Sequence, residues 1–226
     1  MNGIIFLVIV LLVAGIILFS ETSKVKKRTR EQFHVDLAKY LEGALEPIED
    51  AAHPNSFRIR FKYSGEDFVF EDFEKEGFKD KVYNAHLKVK TPSKFTLTFT
   101  EKKRSSRIRS DIFISSEISS QQAASHIQLL VPKHLNDLNV FTNDGIMANK
   151  LFETGKVSSI LKQLKNTDSR AYPYMPLEIV DGVIVLEFYS DKMLQPNLLV
   201  LYNDISSMEG YLEKMMVFVR ALQREL

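Results

Sequence analysis

Pro176-Leu177-Glu178-Ile179-Val180-Asp181-Gly182-Val183-Ile184-Val185-Leu186-Glu187-Phe188 is the stretch from which the fold can be read outward. Asp-Gly between two β-rich runs predicts a hairpin with a two-residue type I′ turn, because both central residues need φ > 0. That register puts Leu177, Ile179, Ile184, Leu186 and Phe188 on one face, all apolar. A strand pair with one greasy face needs a sheet beside it and a layer on top of it.

The sheet is legible upstream. Phe57, Ile59, Phe61 and Tyr63 alternate with Arg58, Arg60 and Lys62, a period of two. Ser64-Gly65-Glu66-Asp67 predicts a four-residue loop, which would set Tyr63 opposite Phe68, Phe61 opposite Phe70 and Arg60 opposite Glu71. Leu87 and Val89 alternate with His86, Lys88 and Lys90. After Thr91-Pro92-Ser93-Lys94, residues Phe95, Leu97 and Phe99 alternate with threonines, so a second hairpin and an antiparallel meander are expected. Further strands are expected at 127–131 and 138–141, and short helices at 146–153 and 156–165. A long C-terminal helix from Asn197 to Arg224 carries Leu198, Leu201, Ile205, Met208, Leu212, Met215, Val219 and Leu222. The predicted class is α+β: an antiparallel or mixed sheet over residues 57–226, covered by that helix.

At the other end, Gly3–Phe19 runs seventeen residues without a charged or amide side chain. As a helix it reaches roughly 25 Å, the short end of what spans a bilayer. A cleaved signal would carry positive charge before the apolar core and small residues after it. Here only Met1 and Asn2 precede it, and Leu18-Phe19-Ser20-Glu21 lacks such a pattern. A retained transmembrane anchor over 3–19 is the expectation. Lys24, Lys26, Lys27, Arg28 and Arg30 follow it at once and no cation precedes it. The expected topology is therefore single-pass, N-terminus out and the domain cytoplasmic, with these five cations near the lipid headgroups.

Residues 20–46 then read as a basic juxtamembrane segment running into an amphipathic helix over 24–46. Phe33, Leu37, Tyr40, Leu41, Ala44 and Leu45 form its stripe and Pro47 ends it. The stripe is expected on the chain's own sheet, or on a partner helix in a homo-oligomer through residues 33–45.

Charge and motifs exclude more than they assign. The chain carries a formal charge of +1 and has no cysteine, which removes thiol catalysis, thiolate metal sites and disulfides. Setting aside Glu21 and the five cations at 24–30 leaves 25 basic against 28 acidic side chains, a balance unsuited to general nucleic-acid binding. His34, His53, His86, His126 and His134 have no metal-ligand spacing, and neither a phosphate-binding glycine loop nor a serine-nucleophile motif is present. No metal or other cofactor is implied. The carboxylates of 66–80 face strands bearing Arg58, Arg60 and Lys62, so cross-strand pairing is expected for both sets. Lys102, Lys103, Arg104, Arg107 and Arg109, with no acid among them, are the candidate anion-binding residues.

In order of elements, the segments Leu138–Leu164 and Pro176–Phe188 and the closing helix resemble a group of uncharacterised bacterial single-pass membrane-anchored proteins. The resemblance covers roughly residues 85–226. It implies an α+β domain behind an N-terminal membrane segment and carries no site residues. The expected function is a membrane-tethered interaction or assembly module with a protein partner. The alternative is an anionic-ligand or headgroup binder using 102–109, and the third reading is an enzyme without a sequence signature.

Overall fold

A computed structural model describes residues 29–49, 55–76, 81–101, 129–166, 173–190 and 194–224. The fold is α+β. Helix α1 (Arg30–Tyr40) precedes strands β1 (Ala44–Ile48), β2 (Ser56–Tyr63), β3 (Glu66–Glu76), β4 (Lys81–Lys90) and β5 (Leu97–Glu101). There follow β6 (Leu138–Thr142), helices α2 (Gly145–Glu153) and α3 (Gly155–Leu164), and the hairpin β7 (Leu177–Val180) and β8 (Val183–Tyr189). Helices α4 (Leu198–Asn203) and α5 (Ser207–Arg224) close the chain. The strands form one eight-stranded sheet in the order β1-β2-β3-β4-β8-β7-β5-β6, with antiparallel pairing throughout. The expected anchor at 3–19 lies outside the described residues, and among those described no helix is long and apolar enough to cross a membrane.

The Asp181-Gly182 hairpin forms as its sequence requires. Both turn residues have positive φ, 48° and 78°, and Leu177 pairs with Leu186 and Ile179 with Ile184. All five apolar residues of its inner face are fully buried. Its place in the sheet is different from the expected meander: β4 and β5 do not pair with each other, because β8 pairs with β4 and β7 with β5. The segment between β4 and β5 instead wraps the hairpin tip. Gly182 N–H donates to the Phe95 carbonyl at 2.9 Å, and Thr91 N–H donates to the Gly182 carbonyl at 2.8 Å. A Cβ at Gly182 would lie 1.8 Å from the Ser93 carbonyl oxygen.

The first hairpin also differs in register. Its turn is the two residues Ser64-Gly65, so Tyr63 pairs with Glu66, Phe61 with Phe68, Ile59 with Phe70, and Arg58 with Glu71. The shift from the expected pairing is two residues, which keeps every side chain on its face. The tighter turn wins because Ser64 and Gly65 both adopt φ > 0, the geometry that follows the strand twist.

Helix α1 begins where Thr29 Oγ1 accepts the Gln32 N–H at 3.2 Å. It ends at Tyr40, seven residues before Pro47. Gly43 N–H returns to the Ala38 carbonyl at 2.8 Å and Glu42 N–H to the Lys39 carbonyl at 3.3 Å, a Schellman cap with Glu42 at φ 50°. Gly43 lets the chain pass tightly over β2, since a Cβ there would sit 2.7 Å from Ile59 Cγ2. Residues 44–48 are therefore an edge strand, not helix, and Pro47 is tolerated at that edge. Half of the stripe packs on the chain's own sheet, Phe33, Leu37 and Leu41 being buried in the common core beside Ala38, whereas Tyr40 is exposed and Ala44 and Leu45 belong to the edge strand.

The long C-terminal helix is two helices. Asp204 caps the break, its Oδ1 accepting from Ser206 N–H at 3.1 Å and from Ser206 Oγ at 2.6 Å. The short α4 thereby reaches β4 and β8, while α5 lies over β8 and α3 with Met208, Leu212, Met215, Val219 and Leu222 buried. The strand expected at 127–131 is irregular over 129–131, and the rest of it lies outside the described residues.

Two glycines test this arrangement. Both Gly65 and Gly182 have positive φ, but only Gly182 is enclosed, since nothing lies within 4 Å of a Cβ at Gly65. Gly65→Ala is expected to cost about 1 kcal/mol through backbone strain alone. Gly182→Ala must also displace the 91–95 chain, and is expected to cost about 2–4 kcal/mol. Equilibrium denaturation midpoints of the two variants measure the difference; equal shifts would mean the tip is not enclosed.

Candidate functional site: a buried charge joint under the first helix

Alternation along β3 sends consecutive acids to opposite faces. Glu71 points outward and Asp72 inward, into the layer between sheet and helices. Asp72 is fully buried. Its Oδ2 accepts from Arg30 Nε at 3.0 Å, from His34 Nε2 at 2.7 Å and from the Tyr202 hydroxyl at 2.7 Å. An acceptor-only carboxylate requires His34 Nε2 to carry the hydrogen. The three donors come from α1 and α4, so one oxygen ties two helices to the third strand.

Arg30 is the hub of the outer half. Its Nη1 donates to the Asn55 carbonyl at 2.7 Å and to Glu74 Oε2 at 3.3 Å, and its Nη2 to the Asp72 carbonyl at 3.2 Å. The guanidinium lies 4.8 Å from the Tyr83 ring centroid and 5.8 Å from that of Phe57. Burial works against its charge, but the bond to Asp72 and that carboxylate's charge outweigh it and raise the pKa. Burial, followed by the Asp72 charge, likewise drives the Tyr202 hydroxyl far above the ordinary tyrosine value, so it stays a donor. The acids also suit the helix, because Asp72 and Glu74 stand at the N-terminal, electropositive end of α1.

This revises one expectation about the lipid-proximal cations. Arg30 has a side chain only 14 % exposed and is committed to the domain interior. Lys24, Lys26, Lys27 and Arg28 lie outside the described residues, as do Lys102, Lys103, Arg104, Arg107 and Arg109. His34 was visible in the sequence only as an isolated histidine. Its partner Asp72 is 38 positions away in the chain, and the Tyr202 that shares Asp72 lies another 130 on, so no local spacing links them.

The outer face carries the expected charge pairing, with corrected partners. Glu71 bridges Arg58 Nη2 and Lys88 Nζ, each at 2.6 Å. Arg60 meets Glu46 at 3.2 Å and Lys62 meets Asp67 at 2.8 Å. Burial pushes the Glu71 carboxyl up, but Lys88 and then Arg58 more than offset it and hold it below the usual glutamate value. Farther along the face, Glu187 accepts from the hydroxyls of Tyr174, at 2.7 Å, and Tyr189. Among the described residues no group of three histidines or carboxylates could hold a metal ion.

The inner cluster is closed to solvent: His34 is 1 % exposed and Asp72 not at all. No substrate atom can reach Asp72 in this arrangement. Its chemistry is that of a joint, which fixes the first turn of α1 against the sheet. Comparison of the chain with protein-family models, curated proteins and solved structures found no match.

Removing one member of a buried pair leaves the other charge uncompensated. Asp72→Ala is accordingly expected to cost about 3–5 kcal/mol, and Tyr202→Phe about 1 kcal/mol, one hydrogen bond. Denaturation midpoints check both, and amide exchange should show α1 loosening in Asp72→Ala. For Glu71 the sign follows from its lowered pKa. Its contribution to stability is full above the unfolded glutamate value of about 4.3 and is lost as pH falls through the lower folded value. Glu71→Gln should flatten the stability profile in that acidic window and leave its shape above pH 6 unchanged.

Proposed function

We propose that this chain is a membrane-tethered interaction or assembly module, its α+β domain held at the cytoplasmic face by a span at residues 3–19. The observation that carries the reading is the Arg30–Asp72–His34–Tyr202 joint. It fixes the first turn of α1 to the sheet, so only residues 20–28 stand between the apolar run and a rigid body. Nine residues reach at most about 30 Å when fully extended. A domain on so short a leash works at the surface of its own membrane. The four remaining basic residues of the leash, Lys24, Lys26, Lys27 and Arg28, add attraction to anionic headgroups of about 1 kcal/mol each.

A second reading, binding of an anionic ligand or headgroup through Lys102, Lys103, Arg104, Arg107 and Arg109, draws on a different observation. Among the described residues, the carboxylates of 66–74 have partners of their own. Asp67 holds Lys62, Glu71 holds Arg58 and Lys88, and Asp72 and Glu74 hold Arg30. Glu66 accepts from Gln223 at 2.8 Å. Five cations within eight residues, with no acid among them, suit an anion from outside the fold.

Two experiments bear on the proposal. A reporter active only outside the cytoplasm, fused after Leu226, is expected to be silent; activity would overturn the topology. Affinity purification from native membranes, followed by mass spectrometry, is expected to return a specific stoichiometric partner. Recovery of the chain alone, in a detergent that preserves known assemblies, would overturn the module reading. For the second reading, in a fragment that starts at Thr29 and so lacks the span and the four leash cations, replacing the five cations at 102–109 by Gln should abolish salt-sensitive attachment to anionic vesicles without moving the denaturation midpoint.

A further inference from the structure

A cleft of about 320 Å³ opens where the end of α1, the end of β2 and the first turns of α5 meet. Its lining includes the aromatic residues Tyr40, Phe61 and Tyr63 and the carboxylates Glu42 and Glu209. The floor is rigid: Phe61 stacks on Phe68 at 5.7 Å between centroids, and Tyr63 meets Phe68 edge-on at 6.1 Å. Tyr40, by contrast, is 46 % exposed. A pocket of this size lies at the low end of those that hold small ligands or a single side chain.

Its electrostatics are one-sided. Lys62, the cation in the lining, has its Nζ on Asp67 at 2.8 Å. Among the described residues Glu42, Glu209 and Glu213 form no ion pair. Burial, then Glu213 and Glu209, raise the Tyr63 hydroxyl pKa, while Arg220 acts in the opposite direction. Aromatic faces backed by unpaired carboxylates are the chemistry that seats an organic cation. The leash joins α1 at its other end, eleven helical residues or about 16 Å from the cleft. That separation favours a cation delivered by a protein over one in the lipid headgroup layer.

We infer that this cleft receives a lysine or arginine side chain of a protein partner, its cation between Tyr40 and Tyr63 and facing Glu42 and Glu209. The inference rests on the interaction-module reading and names what the partner must present: a basic side chain on an otherwise polar segment.

The test uses the full chain in lipid nanodiscs and the tripeptide Ac-Ala-Lys-Ala-NH₂, with Ac-Ala-Gln-Ala-NH₂ as the uncharged control. Tyrosine ring resonances, assigned through Tyr40→Phe and Tyr63→Phe, are followed by NMR. Saturable shifts of both rings with the lysine peptide are expected, with a dissociation constant on the order of millimolar, and none with the glutamine peptide. Glu42→Gln with Glu209→Gln should weaken binding about fivefold, and the exposed change Tyr40→Leu by a similar factor, each with an unmoved denaturation midpoint. No shift, or equal shifts from both peptides, overturns the inference. So does a response of these rings to choline headgroups, seen by changing nanodisc lipid, without one to the peptide. The two readings fail separately. A partner recovered from membranes with a silent peptide sinks the cleft alone, whereas peptide binding with no partner recovered sinks the module reading.

Discussion

Three hydrogen bonds converge on one oxygen of Asp72, and the architecture of the helical layer depends on them. A carboxylate with no exposure to water is costly unless its charge is met by donors of good geometry. Arg30, His34 and Tyr202 meet it, but only if α1 and α4 both lie over the same part of β3. Asp72 Oδ1 and His34 Nδ1 have no hydrogen-bond partner among the described residues, so little of the cost is offset anywhere else. Such a cluster adds less to net stability than an apolar core of equal volume would. What it supplies is position, because no other placement of either helix satisfies the charge.

Position matters most at the first turn of α1. Apolar packing of Phe33, Leu37 and Leu41 would hold α1 on the sheet, but apolar contacts are non-directional and tolerate sliding. The planar guanidinium of Arg30, donating to both Asp72 Oδ2 and the Asp72 carbonyl, fixes the helix at its first residue. The break at Asp204 serves the same end. A continuous C-terminal helix would run straight past β4, whereas the cap at Asp204 lets α4 turn its Tyr202 toward Asp72.

The sheet shows a comparable division of labour. Its outer face is tied by charge pairs centred on Glu71, and its inner face by apolar rows in which each strand of the β7–β8 hairpin contributes to a core shared with helices. Inserting that hairpin between β4 and β5 places its turn under the 91–95 crossing. Gly182 is then constrained twice, by its own φ and by the Ser93 carbonyl above it.

Local chemistry was legible in the sequence: the Asp181-Gly182 turn, the alternation of Phe57 to Tyr63, the apolar stripes of α1, α3 and α5, and the α+β class. Each depends on residues within a few positions of one another, where backbone sterics and periodicity decide the outcome. The register of the first hairpin slipped by two because alternation fixes a face but not a loop length, and positive φ at Ser64 and Gly65 chose the shorter turn. Gly43 ended α1 before Pro47 could, through a close approach to β2 that sequence spacing does not display. The joint itself was hidden. Residues 30, 34, 72 and 202 are scattered along the chain, and a buried histidine and a surface one read alike. Alternation from Phe68 and Phe70 already turns Asp72 inward; which cation awaits it there is settled only when the helices cover the sheet and burial forbids an unpaired charge.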